Sequence, residues 1–345
     1  MYLRLNPEEV SIKDIFDSFF EAECSIERVR SAEETGFDAD AWVRFGETGG
    51  PGMCLPEKCG GGGADLSTAA IVADLLGAYV APIPFIEHVV ATRLLASLDA
   101  SNADLTQLAA GEMIASLDLQ SLNVSQTAVI PAGAVANRIL ALRGNEIVVV
   151  ENANNASPLR NTANLPIAKH NFDDGIVIAE GGKARSAYQT ARSEWQALMA
   201  VALTGLGRKA VDIGVSYAKE RYQFGVLIGS FQGIQHGYAT SITNVEGSHF
   251  LSSRAIAALE QGADNSEQLA GMAFLFASEA ALDAAATSLQ YHGGYGFAEE
   301  YDIQLYYRRA KGWPLQLGDP GLEYQRIANL SLSCLLYTSP SPRDS

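Results

Sequence analysis

Apolar residues recur at helical spacing through the first third of the chain, which is typical of helices that pack on a core along one face. The three clearest segments span residues 8–22, 66–80 and 84–98. Pro82 and Pro84 separate the last two, because proline ends a helix. Gly60–Gly63 has no following Gly-Lys-Ser/Thr, so it predicts a mobile loop rather than a phosphate loop. The pattern predicts an N-terminal helical domain over residues 1–111.

The pattern changes after about residue 111. Four short runs rich in β-branched residues are divided by Gly, Asn and Pro, which is typical of strands joined by turns. The runs are Thr127–Ile130, Arg138–Leu142, Glu146–Val150 and Gly175–Ile178. They predict a small β-domain over residues 112–183.

Helical spacing returns at about residue 186 and persists. One stripe of a long helix consists of Leu198, Ala202, Leu206, Ala210, Ile213 and Tyr217. Further helices are predicted at about 230–261, 265–291 and 300–312. Because long helices with short connections pack as a bundle, residues 184–332 predict a C-terminal four-helix bundle. The fold class is therefore α+β and mostly α.

Composition is consistent with such a core and narrows the function. Of the 345 residues, 48% are hydrophobic and 19% are charged, as in a soluble globular protein. The formal net charge of −16 disfavours nucleic-acid or membrane-surface binding, which would require clustered Lys and Arg. The sequence predicts no membrane span, because it lacks a run of 18 or more apolar residues. The first residues, MYLRLNPEEV, lack the pattern of a signal peptide. We therefore expect a cytoplasmic protein.

Cysteine spacing and the last residues add two expectations. Cys54 and Cys59 have no second Cys/His pair at zinc spacing, so we expect no metal site and reduced, structural thiols. Residues 333–345 include CLLYTSPSPRD, which resembles the translation of a sequencing adapter. We therefore exclude this segment from the fold prediction.

Two segments of the C-terminal half carry specific motifs. Tyr217–His236 reads YAKERYQFGVLIGSFQGIQH, which contains Arg, two residues, Phe-Gly and then Phe-Gln. Gln290–Phe297 reads QYHGGYGF, and the run Arg308–Lys311 follows it. Both segments resemble motifs of the acyl-CoA dehydrogenases, and weaker matches extend the resemblance over residues 30–330. It implies a helical, β and helical-bundle fold and the FAD-dependent α,β-dehydrogenation of an acyl-CoA substrate. It also implies a separate electron-transfer acceptor.

The resemblance implies FAD contacts at seven positions. In the family, the Arg of the first motif crosses a dimer interface to the pyrophosphate of the neighbour's FAD, where a guanidinium provides bidentate donors that Lys lacks. That role falls to Arg221. In the second motif, Gly293 and Gly294 have no side chains, so the backbone can approach the dinucleotide. The implied set is Arg221, Gln223, Phe224, Gln232, Gln290, Gly293 and Gly294. His236 and His292 flank the motifs, and we expect them to pack or to line the cofactor's edge.

The family's catalytic carboxylate is not found where the resemblance places it. The family uses a Glu as the base that removes the α-proton, and the corresponding residue here is Leu317, which cannot accept a proton. Asp319 follows two residues later and is a candidate base. Other members carry the Glu at the start of the first bundle helix, where this chain has Trp195. Glu194 would point about 100° away around that helix. The catalytic residue therefore stays unassigned.

The β-domain also departs from the family. The segments Thr-Glu-Pro…Gly-Ser-Asp and Trp-Ile-Thr/Ser, which embrace the flavin ring and the thioester, are not found in residues 112–182. The half-site for a neighbour's FAD is thus retained, while the half-site for the chain's own flavin is eroded. This asymmetry resembles the lesser subunit of bacterial α2β2 dehydrogenases of steroid side-chain CoA esters, and implies a catalytic partner subunit. Two alternatives stay open: a self-sufficient homo-oligomer that uses Asp319, and a structural or regulatory subunit without flavin.

Overall fold

Helical and β segments follow one another along the chain in the predicted order. The computed structural model describes residues 5–98, 102–122, 126–152 and 156–332, and the suspected adapter segment 333–345 lies outside the described residues. Helices extend to residue 109, strands lie between 115 and 180, and helices predominate from there to 332. The prediction of a mostly helical α+β fold is confirmed. The division into domains at residues 111 and 183 stays a prediction.

The N-terminal helices surround a core with many aromatic side chains. They are α1 (Pro7–Glu23), α2 (Ile26–Ser31), α3 (Ala39–Glu47), α4 (Leu66–Ala78), α5 (Phe85–Ser97) and α6 (Asn102–Ala109). A capping box begins α1: the Asn6 side chain accepts the backbone N–H of Glu9 at 2.9 Å, and the Glu9 carboxylate accepts that of Asn6 at 2.7 Å. The inward face of α1 packs Phe20 against Phe45 of α3, with ring centroids 6.3 Å apart.

The glycine run before α4 is closely packed. The Gly61 N–H donates to the Pro56 carbonyl at 3.2 Å, and the Gly63 N–H donates to the Leu55 carbonyl at 2.8 Å. A Cβ on Gly61 would lie 2.2 Å from the Leu55 carbonyl oxygen, so a larger residue does not fit. The glycines therefore allow two backbone segments to approach each other, and the mobility of this loop stays a prediction.

Two small sheets lie between the helical parts. The strands are β1 (Ala115–Leu117), β2 (Thr127–Ile130), β3 (Arg138–Arg143), β4 (Glu146–Glu151), β5 (Ala168–Asn171) and β6 (Ile176–Glu180). The larger sheet has the order β1-β3-β4-β6, with β1 parallel to β3 and the other pairs antiparallel. In the smaller sheet, β2 pairs antiparallel with β5, and Thr127 lies opposite Asn171. The sequence predicted four of these strands but not β1, which has three residues, or β5, whose sequence Ala-Lys-His-Asn lacks β-branched residues.

One long helix organises the C-terminal part. The helices are α7 (Gly181–Glu220), α8 (Gln232–Glu260), α9 (Ser266–Tyr291), α10 (Ile303–Gly312) and α11 (Pro320–Leu332). The central helix α7 packs against α8 and α9 on one side and against α4 on another. It begins at Gly181, five residues before the predicted start at 186, and its first turn contains Gly181 and Gly182. The predicted helical bundle is confirmed in its helices, and α7 joins it to the N-terminal part.

The contact between α4 and α7 brings their backbones together. A Cβ on Gly77 would lie 1.7 Å from the Ala202 carbonyl oxygen, and one on Gly205 would lie 2.0 Å from the Asp74 carbonyl oxygen. One turn further, Arg208 pairs with the Asp74 carboxylate at 3.0 Å. Glycine is therefore required on both helices at this crossing.

Helix α9 has the length and apolar composition of a membrane-spanning helix, which the sequence analysis did not predict. Its most apolar window has a mean hydropathy of 1.4, and 56% of that window is buried inside the protein. The core helix of a bundle meets the same criteria, and α9 packs on α7 and α8. The composition of α9 is therefore weak evidence for a membrane span.

Candidate functional site

The end of α7 positions Arg221. This residue is the C-cap of the helix, where the backbone becomes extended, and its N–H donates to the Tyr217 carbonyl at 2.9 Å. The chain then forms a two-stranded hairpin, β7 (Tyr222–Gln223) and β8 (Val226–Leu227). Arg221 thus lies at a fixed junction of a long helix and a tight hairpin.

The tip of this hairpin exposes an aromatic ring. Phe224 and Gly225 form the two-residue turn, and both have positive φ angles, +56° and +81°, as a type I′ turn requires. The Phe224 side chain is 93% exposed, and its ring lies 6.3 Å from that of Phe231. A fully exposed phenylalanine in a strained conformation is costly in an isolated chain, so the turn is consistent with contact to another molecule.

A cleft of about 410 Å³ lies beside Arg221. Its far wall is the short 3₁₀ turn Gly293–Phe297, which follows the end of α9. A Cβ on Gly293 or Gly294 would meet no other atom within 4 Å, so the backbone there faces open space. The cleft is lined by Tyr217, Arg221, Gln223, Ile228, Tyr291, His292, Gly293, Gly294 and Tyr295.

The cleft carries one guanidinium and no carboxylate among its lining residues. Arg221 is half-buried, and in the described part of the chain its side chain forms no ion pair. Its Cζ atom lies 5.2 Å from the centroid of the Tyr295 ring. The N–H donors of Arg221 are therefore available to an anion, and a guanidinium binds a phosphate group in bidentate fashion.

A stacked pair of rings forms another wall of the cleft. His292 stacks on Tyr217 with ring centroids 4.0 Å apart, and its Nδ1 lies 2.7 Å from the Ser288 carbonyl oxygen. Burial lowers the pKa of His292 below its usual value, which favours the neutral ring. The position agrees with the expected packing or cofactor-edge role. His236 is exposed on α8 and does not line the cleft.

The structure brings four of the seven implied FAD contacts together in the cleft: Arg221, Gln223, Gly293 and Gly294. The other three are exposed: Phe224 and Gln290 are each next to a cleft residue in the chain, whereas Gln232 is the first residue of α8. The Tyr291 hydroxyl donates to the Gly233 carbonyl at 3.2 Å, which joins the start of α8 to the end of α9. Sequence reasoning missed Tyr291, Ile228 and Tyr295 as lining residues, because neither motif assigns them a role.

The residues near the family's base position do not form a proton-abstracting site. Leu317 is buried. Asp319 is exposed, and its Oδ1 accepts the Gly321 N–H at 2.8 Å at the start of α11. Glu194 is held by two hydrogen bonds from Arg93, at 2.8 and 3.0 Å. The candidate carboxylates are therefore occupied by structural contacts or face solvent.

A small cavity lies where the helical and β parts meet. Its volume is about 50 Å³, and its polar lining residues are Glu87, Asn164, Arg309 and Gln316. Pockets that hold drug-sized ligands have volumes of roughly 300–1,000 Å³. Glu87 is buried and accepts the indole N–H of Trp195 at 3.3 Å, and burial raises the pKa of its carboxyl group. Sequence reasoning missed Glu87, because an acidic residue in the first turn of a helix is ordinarily solvated.

Two hydrogen bonds join the turn after β1 to Tyr188 of α7. The Tyr188 hydroxyl donates to the Asp118 carbonyl at 2.8 Å and accepts the Ser121 N–H at 2.9 Å. The Gln120 amide fills the space beside Gly318, where a Cβ would lie 2.9 Å from its Nε2. The turn therefore covers the loop that contains Leu317.

Two models of protein families match most of the chain. The acyl-CoA dehydrogenase C-terminal domain matches residues 188–329, and the N-terminal domain of the same family matches residues 6–107. The chain belongs to the acyl-CoA dehydrogenase family. It is an oxidoreductase of the class that acts on CH–CH groups, in a family of FAD-binding flavoproteins. The family predicted from the two motifs is confirmed.

Similar acyl-CoA dehydrogenases come from mycobacteria. The chain is 29% identical to acyl-CoA dehydrogenase IpdE2 of Mycolicibacterium smegmatis, over 94% of this chain and 98% of the relative. It is 28% identical to acyl-CoA dehydrogenase FadE34 of Mycobacterium tuberculosis, over 86% of this chain and 44% of the relative.

Solved structures share the fold. A variant of the Tcur3481-Tcur3483 steroid ACAD has a TM-score of 0.87 at 24% identity, over 95% of this chain and 98% of that one. The ChsE4-ChsE5 complex of Mycobacterium tuberculosis has a TM-score of 0.83 at 20% identity, over 99% and 100%. Both names describe an assembly of two different proteins.

Proposed function

We propose that this chain is the non-catalytic subunit of a heteromeric acyl-CoA dehydrogenase and completes the FAD site of a catalytic partner. The Arg221 cleft binds the diphosphate part of an FAD whose flavin ring lies in the partner subunit. When bound, FAD supplies the hydride acceptor for α,β-dehydrogenation, and a carboxylate of the partner removes the α-proton. A separate electron-transfer acceptor reoxidises the assembly.

One observation carries this proposal: the implied cofactor contacts face outward around an open cleft. Phe224, Gln232 and Gln290 are exposed, and Arg221 has no ion-pair partner among the described residues. Residues that complete a site within one chain are usually enclosed by that chain. An open, unpaired guanidinium beside an exposed aromatic ring is typical of an incomplete interface.

The residues around the family's base position support a non-catalytic role for this chain. The base position is the buried Leu317, and Gln120 fills the adjacent space at Gly318. The nearby cavity of about 50 Å³ is too small for an acyl thioester. These contacts favour a partner carboxylate over Asp319, which is exposed and caps α11.

The comparisons suggest a first substrate to test. The Tcur3481-Tcur3483 structure is named as a steroid ACAD, and its likeness to this chain is one of fold. We therefore propose a steroid-derived acyl-CoA as the substrate of the assembled enzyme, with α2β2 as its subunit composition.

The test compares FAD binding by the isolated chain and by the chain co-expressed with a catalytic acyl-CoA dehydrogenase subunit. We expect the isolated chain to hold far less than one FAD per chain, and the complex to retain FAD. In the complex, Arg221→Ala lowers FAD affinity roughly ten- to a hundredfold, because a charge-assisted phosphate contact is lost. Arg221→Lys keeps the charge and loses the bidentate contact, so its affinity for FAD lies between those of the wild type and Arg221→Ala.

The matched control is Arg254→Ala. Arg254 is an exposed arginine on α8, twenty-two residues beyond the start of that helix at Gln232, or about 33 Å along its axis. Its replacement leaves FAD affinity unchanged. Near-stoichiometric FAD in the isolated chain, or equal affinities for wild type and Arg221→Ala, contradicts the proposed function.

A further inference from the structure

Arg221 needs a contact that fixes its direction. A long flexible side chain loses conformational entropy when it binds an anion, so an arginine already held in place binds more tightly. Most clusters of charge in this chain fix their arginines with carboxylates, as Glu194 fixes Arg93. Arg221 instead lies against an aromatic ring, that of Tyr295.

The Tyr295 ring belongs to a group of four packed rings, which we call the ring cluster: Tyr217, His292, Tyr295 and Tyr301. Tyr295 packs on Tyr301 with centroids 5.3 Å apart, and Tyr301 packs edgewise on His292 at 6.1 Å. His292 in turn stacks on Tyr217 at 4.0 Å. Tyr217 belongs to α7, one helical turn before Arg221. The ring cluster therefore links the 3₁₀ turn to the end of α7 that carries Arg221.

We propose that Tyr295 is a positioning residue, which holds the Arg221 guanidinium by a cation–π contact and leaves its N–H donors free for the cofactor phosphate. This inference rests on the proposed function and adds a residue to its site. A carboxylate in the place of Tyr295 would also hold the guanidinium, but it would compete with the phosphate for the same N–H donors. An aromatic face attracts the cation without using those donors.

Tyr295 is 46% exposed, and the described hydrogen bonds include none from its hydroxyl group. The ring alone is therefore the functional part of the side chain. A second way for this ring to act is to touch the cofactor directly, since Tyr295 also lines the cleft. The two actions differ in whether they depend on Arg221.

A double-mutant cycle in the co-expressed complex separates them, with FAD affinity measured by the change in flavin fluorescence on binding. Tyr295→Leu lowers FAD affinity roughly two- to fivefold, as expected for the loss of a partly exposed cation–π contact. Tyr295→Phe keeps the ring and restores the affinity. In an Arg221→Ala background, Tyr295→Leu has no further effect, because the side chain that it positions is gone.

The outcomes distinguish this inference from the proposed function. A Tyr295→Leu effect of equal size in the Arg221→Ala background overturns the positioning role, because the ring then acts on the cofactor or on the fold. An unchanged affinity for Tyr295→Leu, with a large loss for Arg221→Ala, overturns the inference alone. An unchanged affinity for Arg221→Ala overturns both. The unfolding midpoint of each isolated variant, expected to equal that of the wild type, shows whether the fold is intact.

Discussion

At the scale of single residues, the carboxylates of Asp319, Glu194 and Glu87 have structural contacts or face solvent. Asp319 caps α11, Glu194 is paired with Arg93, and Glu87 accepts a hydrogen bond from Trp195. A general base must come within hydrogen-bond reach of the proton that it removes. None of the three meets an open space large enough for a thioester, which agrees with a partner carboxylate as the base.

Substitution of Asp319 and of Glu87 tests whether either carboxylate is the general base. We expect Asp319→Asn and Glu87→Gln each to change the turnover of the assembled enzyme by less than about threefold, whereas loss of a sole general base costs roughly 10²–10⁴-fold. The measurement is turnover of an acyl-CoA with an artificial electron acceptor. A hundredfold loss in Asp319→Asn, with FAD still bound, would instead support the self-sufficient homo-oligomer. The same loss in Glu87→Gln would identify Glu87 as the base.

At the scale of elements, a buried cluster of charges fastens α11 to α7. Glu323 of α11 accepts hydrogen bonds from Arg192 and Gln196 of α7 and from Arg326 of its own helix, each at 2.6 Å. Only 4% of the Glu323 side chain is exposed. Hydrogen bonds from the two arginines and Gln196 oppose the cost of burial and lower the pKa of Glu323 to about 2. This cluster holds α11, and with it the loop that contains Leu317.

Loss of this charge should be costly and dependent on pH. Glu323→Gln leaves Arg192 without a carboxylate partner and Arg326 with Glu267 alone. We expect it to reduce the free energy of unfolding at pH 7 by about 3 kcal/mol. The lower end of the usual range applies because Arg192 and Arg326 are 13% and 25% exposed. Since the folded pKa is depressed, the stabilisation is complete above the unfolded pKa of about 4.5 and is lost as pH falls toward 2.

Urea unfolding from pH 7 to pH 3 measures this difference. The matched control is Glu146→Gln, which removes a more exposed pair with Arg143 and should cost less than about 1 kcal/mol. A Glu323→Gln variant as stable as the control at pH 7, or a difference that grows in acid, would show that the cluster does not stabilise the α7–α11 contact.

The elements that the sequence predicted are those long enough to show a period. The helices α4, α5, α8 and α9 begin and end within about two residues of the predicted limits. Among the elements that it missed, α2 has six residues, and the strands of the β7–β8 hairpin have two each. Such segments are fixed by tertiary contacts and turn geometry, which a periodic pattern does not report.

The sequence predicted four of the residues that line the cleft, but not the geometry of the cleft. The motif identified Arg221, Gly293 and Gly294, which the structure places around one cleft. It did not predict the contact between Arg221 and Tyr295, because the two lie on different elements far apart in the chain. The burial of Glu87 could not be predicted from the sequence either, since it depends on the packing of α5 against Trp195.

At the scale of the whole molecule, the proposed function gives the chain one open half-site, at the Arg221 cleft, and one closed half-site, at Leu317. A heterodimer of this chain with a catalytic partner then contains one complete FAD site. We expect about one FAD for each pair of chains in the purified complex, whereas a symmetric homo-oligomer binds one per chain. Native mass spectrometry combined with flavin absorbance measures this ratio. A ratio near one FAD per chain would contradict the heteromeric proposal.

The glycine crossing of α4 and α7 determines how such an assembly can exchange its cofactor. With the two backbones in contact at Gly77 and Gly205, and with the Tyr306 hydroxyl of α10 donating to the Ala78 carbonyl at 2.9 Å, the N-terminal helices have no freedom to swing away from the bundle. Hinge closure needs a joint that can absorb a rotation, and this joint cannot. Under the proposed function, we therefore expect an FAD held between two subunits to leave as the subunits separate rather than by a hinge motion within this chain. The residence time of the cofactor would then follow the lifetime of the complex.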